Sequence, residues 1–323
     1  MIRLDNVVVS YRTGRGSINA VDGVSLTIPD GCIVGVAGES GCGKSTLMKA
    51  IYGDIASPMS LSAGKIEYGF EDRGGKRVTS DTIRDEWFRR ISYIPQSSMN
   101  SLNPVIRIRE QFIDFPGTDP DKKRVLESVR SYIGKLGLPA EALNSFPHQL
   151  SGGMRQRIMI ALATFFQPEL ILADEPTTAL DVVVQKEILM LLMELQEEMG
   201  NSIILVSHDM GVHYQLTHRM LIMYAAKAVE WGDSDTVFEA PLHPYTRMLI
   251  RSLPTIGDDR ARMGIPGSPP SLWGDLNGCR FAARCPLATD RCRAEEPPLV
   301  EHKPEHFAAC HYAGSEVPTT REE

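Results

Sequence analysis

A glycine-rich segment at residues 38–45 constrains this chain more than any other feature. It reads GESGCGKS and matches the pattern G-x-x-x-x-G-K-S/T, between an apolar run at 32–37 and a helical pattern at 44–52. Such glycines let successive backbone N–H groups turn inward as an anion nest, the following helix adds the positive end of its dipole, and Lys44 supplies a mobile cation. Ser45 offers a hydroxyl to magnesium. The segment therefore predicts a phosphate-binding loop between a strand and a helix.

The composition is that of a folded protein and excludes several classes. The 323 residues, 35.7 kDa in mass, exceed one average domain, so a large unit with an appendage, or two domains, is expected. Hydrophobic residues at 42% and charged residues at 23% exclude collagen-like, coiled-coil and wholly disordered chains. The longest uncharged apolar stretches, 158–166 and 220–226, are about half of the roughly 20 residues that a membrane-spanning helix needs. A net charge of −7 disfavours a nucleic-acid surface, and the amino terminus lacks a signal-peptide pattern, so a cytosolic chain is expected.

Short apolar runs alternate with helical patterns through the first 240 residues, which predicts an α/β fold with a mostly parallel sheet. The runs at 32–37, 170–173 and 202–207 are typical of buried central strands. Helical patterns cover 155–166 and 183–199. Each apolar run ends at polar residues, and in an open parallel sheet the carboxyl ends of the strands line the ligand crevice.

Two carboxylates follow the second of these runs, at Asp174 and Glu175. Beside a phosphate loop, one carboxylate organises magnesium while the other positions or polarises the attacking water. Without that loop, two acids after a strand would more often be a helix start or a solvated turn. His208 follows the third run and is a candidate contact of a γ-phosphate, although a histidine at a strand end is commonly only a hydrogen-bonded polar residue.

A second candidate anion site precedes the helical pattern at 155–166. Residues 150–154 read LSGGM, and Ser151 with its glycines would leave N–H groups free at a helix start. One nucleotide needs only one phosphate loop, so the second site predicts a nucleotide held by another subunit in a head-to-tail pair. An ordinary helix cap is the alternative, which spacing alone does not exclude.

In order and spacing, these segments resemble the nucleotide-binding subunit of ATP-binding cassette (ABC) transporters over about 310 residues. The resemblance is carried by the Walker A loop at 38–46, the Q-loop at Gln96, the signature LSGGMRQR at 150–157, Walker B at 170–175, the D-loop at 179–181 and the switch His208. It implies a P-loop NTPase (ABC ATPase) core within residues 1–240, with a helical subdomain at about 97–157.

The resemblance also implies a role for each matching residue toward ATP and Mg²⁺. The phosphates would be held by Ser40, Gly41, Cys42, Gly43, Lys44, Ser45 and Thr46. Tyr11 would stack on adenine, Ser45, Gln96 and Asp174 would attend Mg²⁺, Glu175 would be the catalytic carboxylate, and His208 would clamp the γ-phosphate. Lys44 and Gln96 would share in catalysis, and Asp181 would join the ATP site. Ser151 and Gly153 would reach ATP on the facing subunit.

Four segments are similar to a narrower branch, the dipeptide and oligopeptide importers: QSSMNSLNP at 96–104, PHQLSGGM at 147–154, EPTTALD at 175–181 and HPYT at 243–246. This branch implies a second ABC ATPase subunit, usually a homologue, two transmembrane permeases and an extracytoplasmic substrate-binding protein. It places the chain at the cytoplasmic face of the membrane and implies di- or oligopeptides as cargo, with nickel or oligosaccharides as the alternative. The alanine and lysine at 226–227 depart from the glycine that is common there, which bears only on local turn geometry.

The composition changes near residue 241, because 11 of the 21 prolines lie in the last 83 residues. A small C-terminal domain is therefore expected at 241–323. It holds Cys279, Cys285, Cys292 and Cys310, which in a cytosolic chain favours a metal site over disulfides. The spacing leaves an iron–sulfur cluster, zinc and free thiols open. Resemblance to the peptide importers implies a 4Fe–4S cluster, with zinc as the alternative and a structural role.

Two other functional classes compete with an importer ATPase. A non-transport ABC ATPase acting in DNA repair or translation would usually carry a long coiled coil, an inserted zinc module or two cassettes, and the sequence shows none of them. A binding protein without turnover is disfavoured by the intact Lys44, Glu175 and His208. In an importer, closure around ATP would pass to the permeases through an insertion at roughly 96–146, with 98–107 as the contact segment.

Overall fold

A computed structural model describes residues 1–72, 74–96, 101–114, 121–252, 264–274 and 276–315. The strands, in chain order, are β1 (Ile2–Thr13), β2 (Gly16–Ile28), β3 (Ile33–Ala37), β4 (Met59–Glu71), β5 (Arg77–Thr79), β6 (Ile91–Ile94), β7 (Leu170–Asp174), β8 (Ser202–Val206), β9 (Arg219–Tyr224), β10 (Lys227–Asp233), β11 (Val300–Lys303) and β12 (His306–Ala308). The α-helices are α1 (Lys44–Tyr52), α2 (Ile108–Ile113), α3 (Lys122–Lys135), α4 (Gly152–Thr164), α5 (Val182–Met199), α6 (Met210–Leu216), α7 (Ser234–Glu239), α8 (Pro244–Arg251) and α9 (Asp290–Ala294). Short 3₁₀ turns lie at Ile83–Glu86, Ala140–Asn144, Pro147–Gln149 and Ala282–Arg284.

The chain divides into two compact units. Unit 1 comprises Met1–Ile28, Ile33–Ser80 and Ser207–Glu323, and unit 2 comprises Pro29–Cys32 and Asp81–Val206. The domain boundary predicted at residue 241 stays a prediction. So does the helical subdomain predicted at about 97–157, which begins outside the described residues.

Unit 1 contains two sets of paired strands. The first is an antiparallel sheet in the order β2-β1-β4-β5, and the second has the order β11-β12-β10-β9-β3, in which only the β3–β9 pair is parallel. Apolar residues alternate along β1, so Leu4 and Val7 are buried opposite Ile66 of β4 and Val24 of β2. This antiparallel sheet was not among the expectations from the sequence.

Aromatic rings pack the C-terminal residues of unit 1 against its second set of strands. The ring centroid of Tyr224 at the end of β9 lies 4.6 Å from that of Tyr245 on α8 and 5.2 Å from that of Phe281. Tyr245 and Phe281 are themselves 5.4 Å apart. Their side chains join the buried cluster that contains Ala37, the last residue of β3. Residues after 241 therefore share a core with the strand that leads into the phosphate loop.

Unit 2 has a parallel arrangement, with β8, β7 and β6 side by side and every residue of β7 and β8 buried. The predicted strands at 170–173 and 202–207 are confirmed as β7 and β8. The predicted helix at 183–199 is confirmed as α5, and the one at 155–166 is α4. Helix α4 begins three residues earlier than expected, at Gly152, because Ser151 caps it. Within the described ranges, none of the helices combines the length and the apolarity that crossing a bilayer requires.

Candidate functional site

The predicted phosphate loop lies between β3 and α1 in unit 1, and its glycines are required by backbone geometry. Gly38, Gly41 and Gly43 have φ angles of 149°, 78° and 107°. A Cβ atom at Gly38 would lie 2.1 Å from the carbonyl oxygen of Met223, and one at Gly43 would lie 2.1 Å from that of Ala20. A side chain at either position would therefore collide with backbone, so only glycine fits this loop.

The ammonium group of Lys44 lies against the backbone of the loop. The Nζ atom of Lys44 donates to the carbonyl oxygens of Gly38, at 2.7 Å, and Glu39, at 3.1 Å. Lys44 is also the first residue of α1, whose N-terminal N–H groups and dipole favour an anion. An arriving phosphate would exchange these carbonyl contacts for an ion pair with the ammonium group. Ser45 and Thr46 are half-buried in the first turn of α1, and Ser40 and Gly41 are exposed.

The cysteine of the loop is buried. Cys42 is 3% exposed, and its burial raises the pKa of the thiol, although the nearby Lys44 acts in the opposite direction. Its carbonyl oxygen accepts a hydrogen bond from the N–H of Ala226, at 3.0 Å. Ala225 and Ala226, with φ angles of 45° and 73°, form the two-residue turn between β9 and β10. The turn therefore has left-handed geometry although residue 226 is alanine and not glycine, and it contacts the phosphate loop through the Ala226 N–H.

Two more predicted site residues belong to unit 1. Tyr11 lies on β1, and its hydroxyl is 3.4 Å from the Oγ1 atom of Thr46. His208 is exposed and precedes α6, whose N-cap is Asp209. The structure thus brings Tyr11 to the first turn of α1. The roles of Tyr11 and His208 as ligands of ATP remain predictions.

The two predicted carboxylates lie at the carboxyl end of β7 in unit 2. Asp174 is buried and accepts a hydrogen bond from the hydroxyl of Tyr93 on Oδ2, at 2.8 Å. Glu175 is half-buried and has a φ angle of 47°, a left-handed conformation that non-glycine residues seldom adopt. Its N–H donates to the carbonyl of Val206 on β8, at 2.9 Å. The turn directs the two neighbouring carboxylates differently, one into the unit and one to its edge.

Two side chains hold the carboxylate of Glu175. The Nε2 atom of Gln96 donates to its Oε2 atom at 2.9 Å, and the Oγ1 atom of Thr178 donates to the same atom at 3.0 Å. The structure therefore joins Gln96 and Glu175, which the sequence predicts separately. Thr178 and Tyr93 were missed, and only their positions, three residues after Glu175 and three before Gln96, could have signalled them.

The predicted second anion site is the start of α4, also in unit 2. Ser151 is exposed, and its Oγ atom accepts a hydrogen bond from the N–H of Met154 at 3.3 Å. This contact is the ordinary cap that the sequence left open, and it leaves the anion-binding role untested. A Cβ atom at Gly153 would lie 2.9 Å from a methyl group of Val184 on α5. The absence of a side chain at Gly153 thus lets the two helix starts approach.

The D-loop is held by its own helix. Asp181 caps α5 through a hydrogen bond from the N–H of Val184, at 3.0 Å. Gln185, one turn into α5, donates to the carbonyl oxygens of Thr177 and Leu180, at 3.2 and 3.1 Å. Gln185 therefore fixes the loop that follows Glu175. The sequence does not single it out, because it stands in a polar run at 185–187.

The four C-terminal cysteines line one small cavity in unit 1, together with His243 and Phe281. The pKa of the thiol is raised to about 11 at both Cys279 and Cys310, mainly by burial and further by the neighbouring cysteines. The N–H of Cys279 donates to the carbonyl of Cys292 at 2.7 Å, which joins the two segments. As the side chains lie, no three His, Cys, Asp or Glu residues are arranged to hold a metal ion in the described part of the chain. The predicted cluster is thus not supported by this arrangement.

Comparison with known proteins places these features in a family. Residues 21–178 match the ABC transporter family, and residues 229–292 match the family described as the oligopeptide/dipeptide transporter, C-terminal region. The dipeptide transport ATP-binding protein DppD of Escherichia coli (strain K12) is 38% identical over 319 residues, covering 97% of this chain and 96% of that protein. The oligopeptide transport ATP-binding protein OppD of Salmonella typhimurium is 36% identical over 315 residues, covering 96% and 93%.

A solved structure agrees with these matches. The dimeric, post-hydrolysis structure of the ATP-binding cassette MJ0796 bound to ADP and Pi has a TM-score of 0.59 and 28% identity, covering 72% of this chain and 99% of that one. The ABC ATPase fold predicted from the motifs is confirmed. The chain is therefore a member of the ABC transporter family, and it carries the C-terminal region of the oligopeptide/dipeptide transporters.

Proposed function

We propose that this chain is the ATP-hydrolysing subunit of an ABC importer and couples ATP binding and hydrolysis to the uptake of di- or oligopeptides. The observation that carries the proposal is the geometry of the phosphate loop. A side chain at Gly38 or Gly43 would collide with backbone, and the ammonium group of Lys44 donates to carbonyl oxygens of the same loop. The E. coli and Salmonella relatives are named for dipeptide and oligopeptide transport, which supports the cargo class.

The two units carry different kinds of group. On unit 1, the loop and the start of α1 bind the phosphates, Lys44 neutralises them, and Ser45 offers a hydroxyl to Mg²⁺. On unit 2, Asp174 and Gln96 offer oxygen atoms, which suit a hard cation such as Mg²⁺. The metal would neutralise phosphate charge when bound.

Glu175 is the proposed catalytic carboxylate. Gln96 and Thr178 both donate to it, so its orientation is fixed before water arrives. A fixed carboxylate orients a water molecule and accepts its proton as the γ-phosphate is attacked. His208 is the proposed clamp on the γ-phosphate, and Tyr11 and Asp181 are the proposed adenine and D-loop contacts.

A second cassette is proposed to complete each ATP site. Ser151, the N-cap of α4, is exposed, and Gly152 and Gly153 behind it are half-buried. The Ser151 side chain accepts a hydrogen bond from the N–H of Met154. Helix N-termini of this kind bind anions, so Ser151 and Gly153 would contact ATP held by a facing subunit. The MJ0796 cassette described as bound to ADP and Pi is dimeric. We propose a homologue of this chain as the partner, giving a heterodimer.

The membrane partners are proposed to be two permeases, which receive cargo from an extracytoplasmic binding protein. Their contact segment would be 98–107, of which 98–100 lies outside the described residues. Val105 in this segment is a large apolar side chain that is almost wholly exposed, which fits a contact with another chain. The subunit would sit peripherally on the cytoplasmic face of the membrane.

We further propose that the four C-terminal cysteines hold a 4Fe–4S cluster, with zinc as the alternative. Thiolates are suitable ligands for either, and all four thiols line a single cavity. Burial raises the pKa of the thiols of Cys279, Cys285 and Cys310, and a bound cation would act in the opposite direction. Metal analysis of anaerobically purified protein tests this site. Iron with absorbance near 400 nm would support the cluster. Stoichiometric zinc without iron would show a zinc site instead. The absence of both metals would reject the proposed metal site.

The proposed function is tested by rebuilding the complex. The chain is co-expressed with the permeases and the partner ATPase, and peptide-stimulated ATP hydrolysis is measured in vesicles that contain the binding protein. Stimulation by di- or oligopeptides, abolished by Lys44→Ala, is expected. Stimulation by nickel or oligosaccharide alone would reassign the cargo, and failure to associate with any permease would favour a non-transport ATPase.

A further inference from the structure

A partly buried ion pair joins the C-terminal region to the phosphate loop, and both partners belong to unit 1. The guanidinium group of Arg284 meets the carboxylate of Glu39 in a two-pronged contact, with Nη1 2.7 Å from Oε2 and Nη2 2.9 Å from Oε1. Glu39 is the second residue of the loop, and 245 positions separate the two residues in the sequence. Paired charge-assisted bonds of this kind are strong and specific in direction.

Arg284 is rigidly held from its other sides. Its side chain is 5% exposed, against 25% for Glu39. Its Nε atom donates to the carbonyl oxygen of Pro266 at 2.8 Å, and Nη2 donates to that of Ile265 at 3.1 Å. Nη1 also donates to the hydroxyl of Tyr224, at 3.1 Å. The cation is therefore a fixed charge beside the loop.

The polar groups of Glu39 all have partners, and the partners converge from the C-terminal region and from the loop. Its N–H donates to the hydroxyl of Tyr245 at 2.9 Å. Its carbonyl oxygen accepts from Lys44 at 3.1 Å and from the N–H of Cys42 at 3.2 Å. Tyr245 and Arg284 thus fix the main chain and the side chain of the same residue, one residue after the glycine that opens the loop.

The negative charge of Glu39 would oppose the binding of ATP if no cation neutralised it. A carboxylate in a phosphate-binding loop has the same sign as the triphosphate, and at a partly buried site the repulsion is weakly screened. Arg284 supplies the opposite charge and directs the carboxylate toward the C-terminal region. We propose that Arg284 is a positioning residue for ATP: it neutralises Glu39 and fixes the loop, so that the triphosphate meets N–H groups and Lys44 without an opposing carboxylate.

This inference rests on the proposed function, because it requires ATP at the loop. The competing explanation is that Arg284 only stabilises the fold. The two explanations differ in the Kd of the folded chain. If repulsion is the cause, Arg284→Ala raises this Kd and Glu39→Gln restores binding. If Arg284 only stabilises the fold, Arg284→Ala lowers the free energy of unfolding and leaves the Kd of the folded chain unchanged.

The test measures the Kd of Mg·ATP and Mg·ADP by calorimetry in the full chain. For Arg284→Ala, we expect the Kd of ATP to rise about tenfold and that of ADP to rise less, because ADP carries less charge. For Glu39→Gln/Arg284→Ala, we expect a Kd within about threefold of the wild type. Arg291→Ala is the matched control, since Arg291 forms an exposed ion pair with Glu295 in the same region and should leave both values unchanged.

Two results would overturn the inference: an unchanged Kd in Arg284→Ala, or a double variant that binds as weakly as the single one. Should Arg284→Ala not fold, Arg284→Lys carries the test. Lysine keeps the charge but loses the paired contact, so the Kd of Mg·ATP for Arg284→Lys should rise by less than about fivefold and return to the wild-type value when Glu39→Gln is added. A loss of affinity that Glu39→Gln fails to reverse would reject the proposal. A wild-type chain that binds no ATP would instead reject the proposed function.

Discussion

Glu230 on β10 is a completely buried carboxylate, and replacing it with glutamine is expected to loosen the C-terminal part of unit 1. Its Oε1 atom accepts from the N–H of Leu242 at 2.7 Å and lies 2.7 Å from Nε2 of His306. Its Oε2 atom accepts from the N–H of His243 at 2.9 Å. One side chain of β10 thus contacts both the segment before α8 and the neighbouring strand β12.

The cost of the substitution follows from these three contacts. A glutamine amide has one oxygen, so in either orientation its NH₂ group faces a backbone N–H, of Leu242 or of His243. A buried donor left without an acceptor costs about 1–3 kcal/mol, and contacts to a charged acceptor are the stronger kind. We therefore expect the free energy of local opening around 241–251 to fall by about 2 kcal/mol, which raises the exchange rate of these amides about 30-fold.

Native-state hydrogen exchange with mass spectrometry measures this opening directly. The matched control is Glu305→Gln, because Glu305 is 72% exposed and its ion pair with Arg219 should contribute little. Since α8 carries Tyr245, which accepts the Glu39 N–H, Glu230→Gln should also weaken ATP binding, and the control should not. If the Leu242 and His243 amides exchange within about threefold of the wild-type rate, Glu230 does not hold this segment in place.

Three further predictions concern the catalytic carboxylate, a buried histidine and the loop thiol. Glu175→Gln should slow ATP hydrolysis about 10²- to 10⁴-fold and change the Kd of ATP less than threefold, and near-normal turnover would count against this assignment. Burial lowers the pKa of His213 to about 4, so protons bind the unfolded chain first as the pH falls below 6.5. Urea denaturation should therefore show about 1 kcal/mol less stability at pH 5.5 than at pH 7, and a smaller decrease in His213→Gln; equal pH profiles would exclude His213 as the cause. The buried Cys42 thiol, with its raised pKa, should react with iodoacetamide at pH 8 at least about tenfold more slowly than free cysteine, and ATP should slow it further. Labelling at the rate of free cysteine, or labelling that ATP leaves unchanged, would contradict this expectation.

The features that could be predicted from the sequence are those whose cause is local. The loop at 38–45 was predictable because its turns require glycines within a few residues of each other, and these glycines are visible in the sequence. Strands β7 and β8 were predictable because a strand buried on both faces is a continuous apolar run. Both carry their signal in a short stretch of chain.

The features that could not be predicted depend on pairing between distant residues. Tyr93 and Asp174 are 81 positions apart, and Glu39 and Arg284 are 245 apart. Neither Tyr93 nor Arg284 has a distinctive pattern around it that names its partner. The antiparallel sheet of unit 1 was missed for the same reason, since its strands alternate apolar and polar residues but their pairing is set by tertiary contacts.

The loop at 38–45 is proposed to bind Mg·ATP through Lys44, and calorimetric titration of the purified chain measures this binding. We expect the wild type to bind one Mg·ATP saturably, and we expect Lys44→Ala to lose most of that affinity while keeping the wild-type fold by circular dichroism. Absence of binding by the wild type, or equal binding by a folded Lys44→Ala variant, would contradict the account.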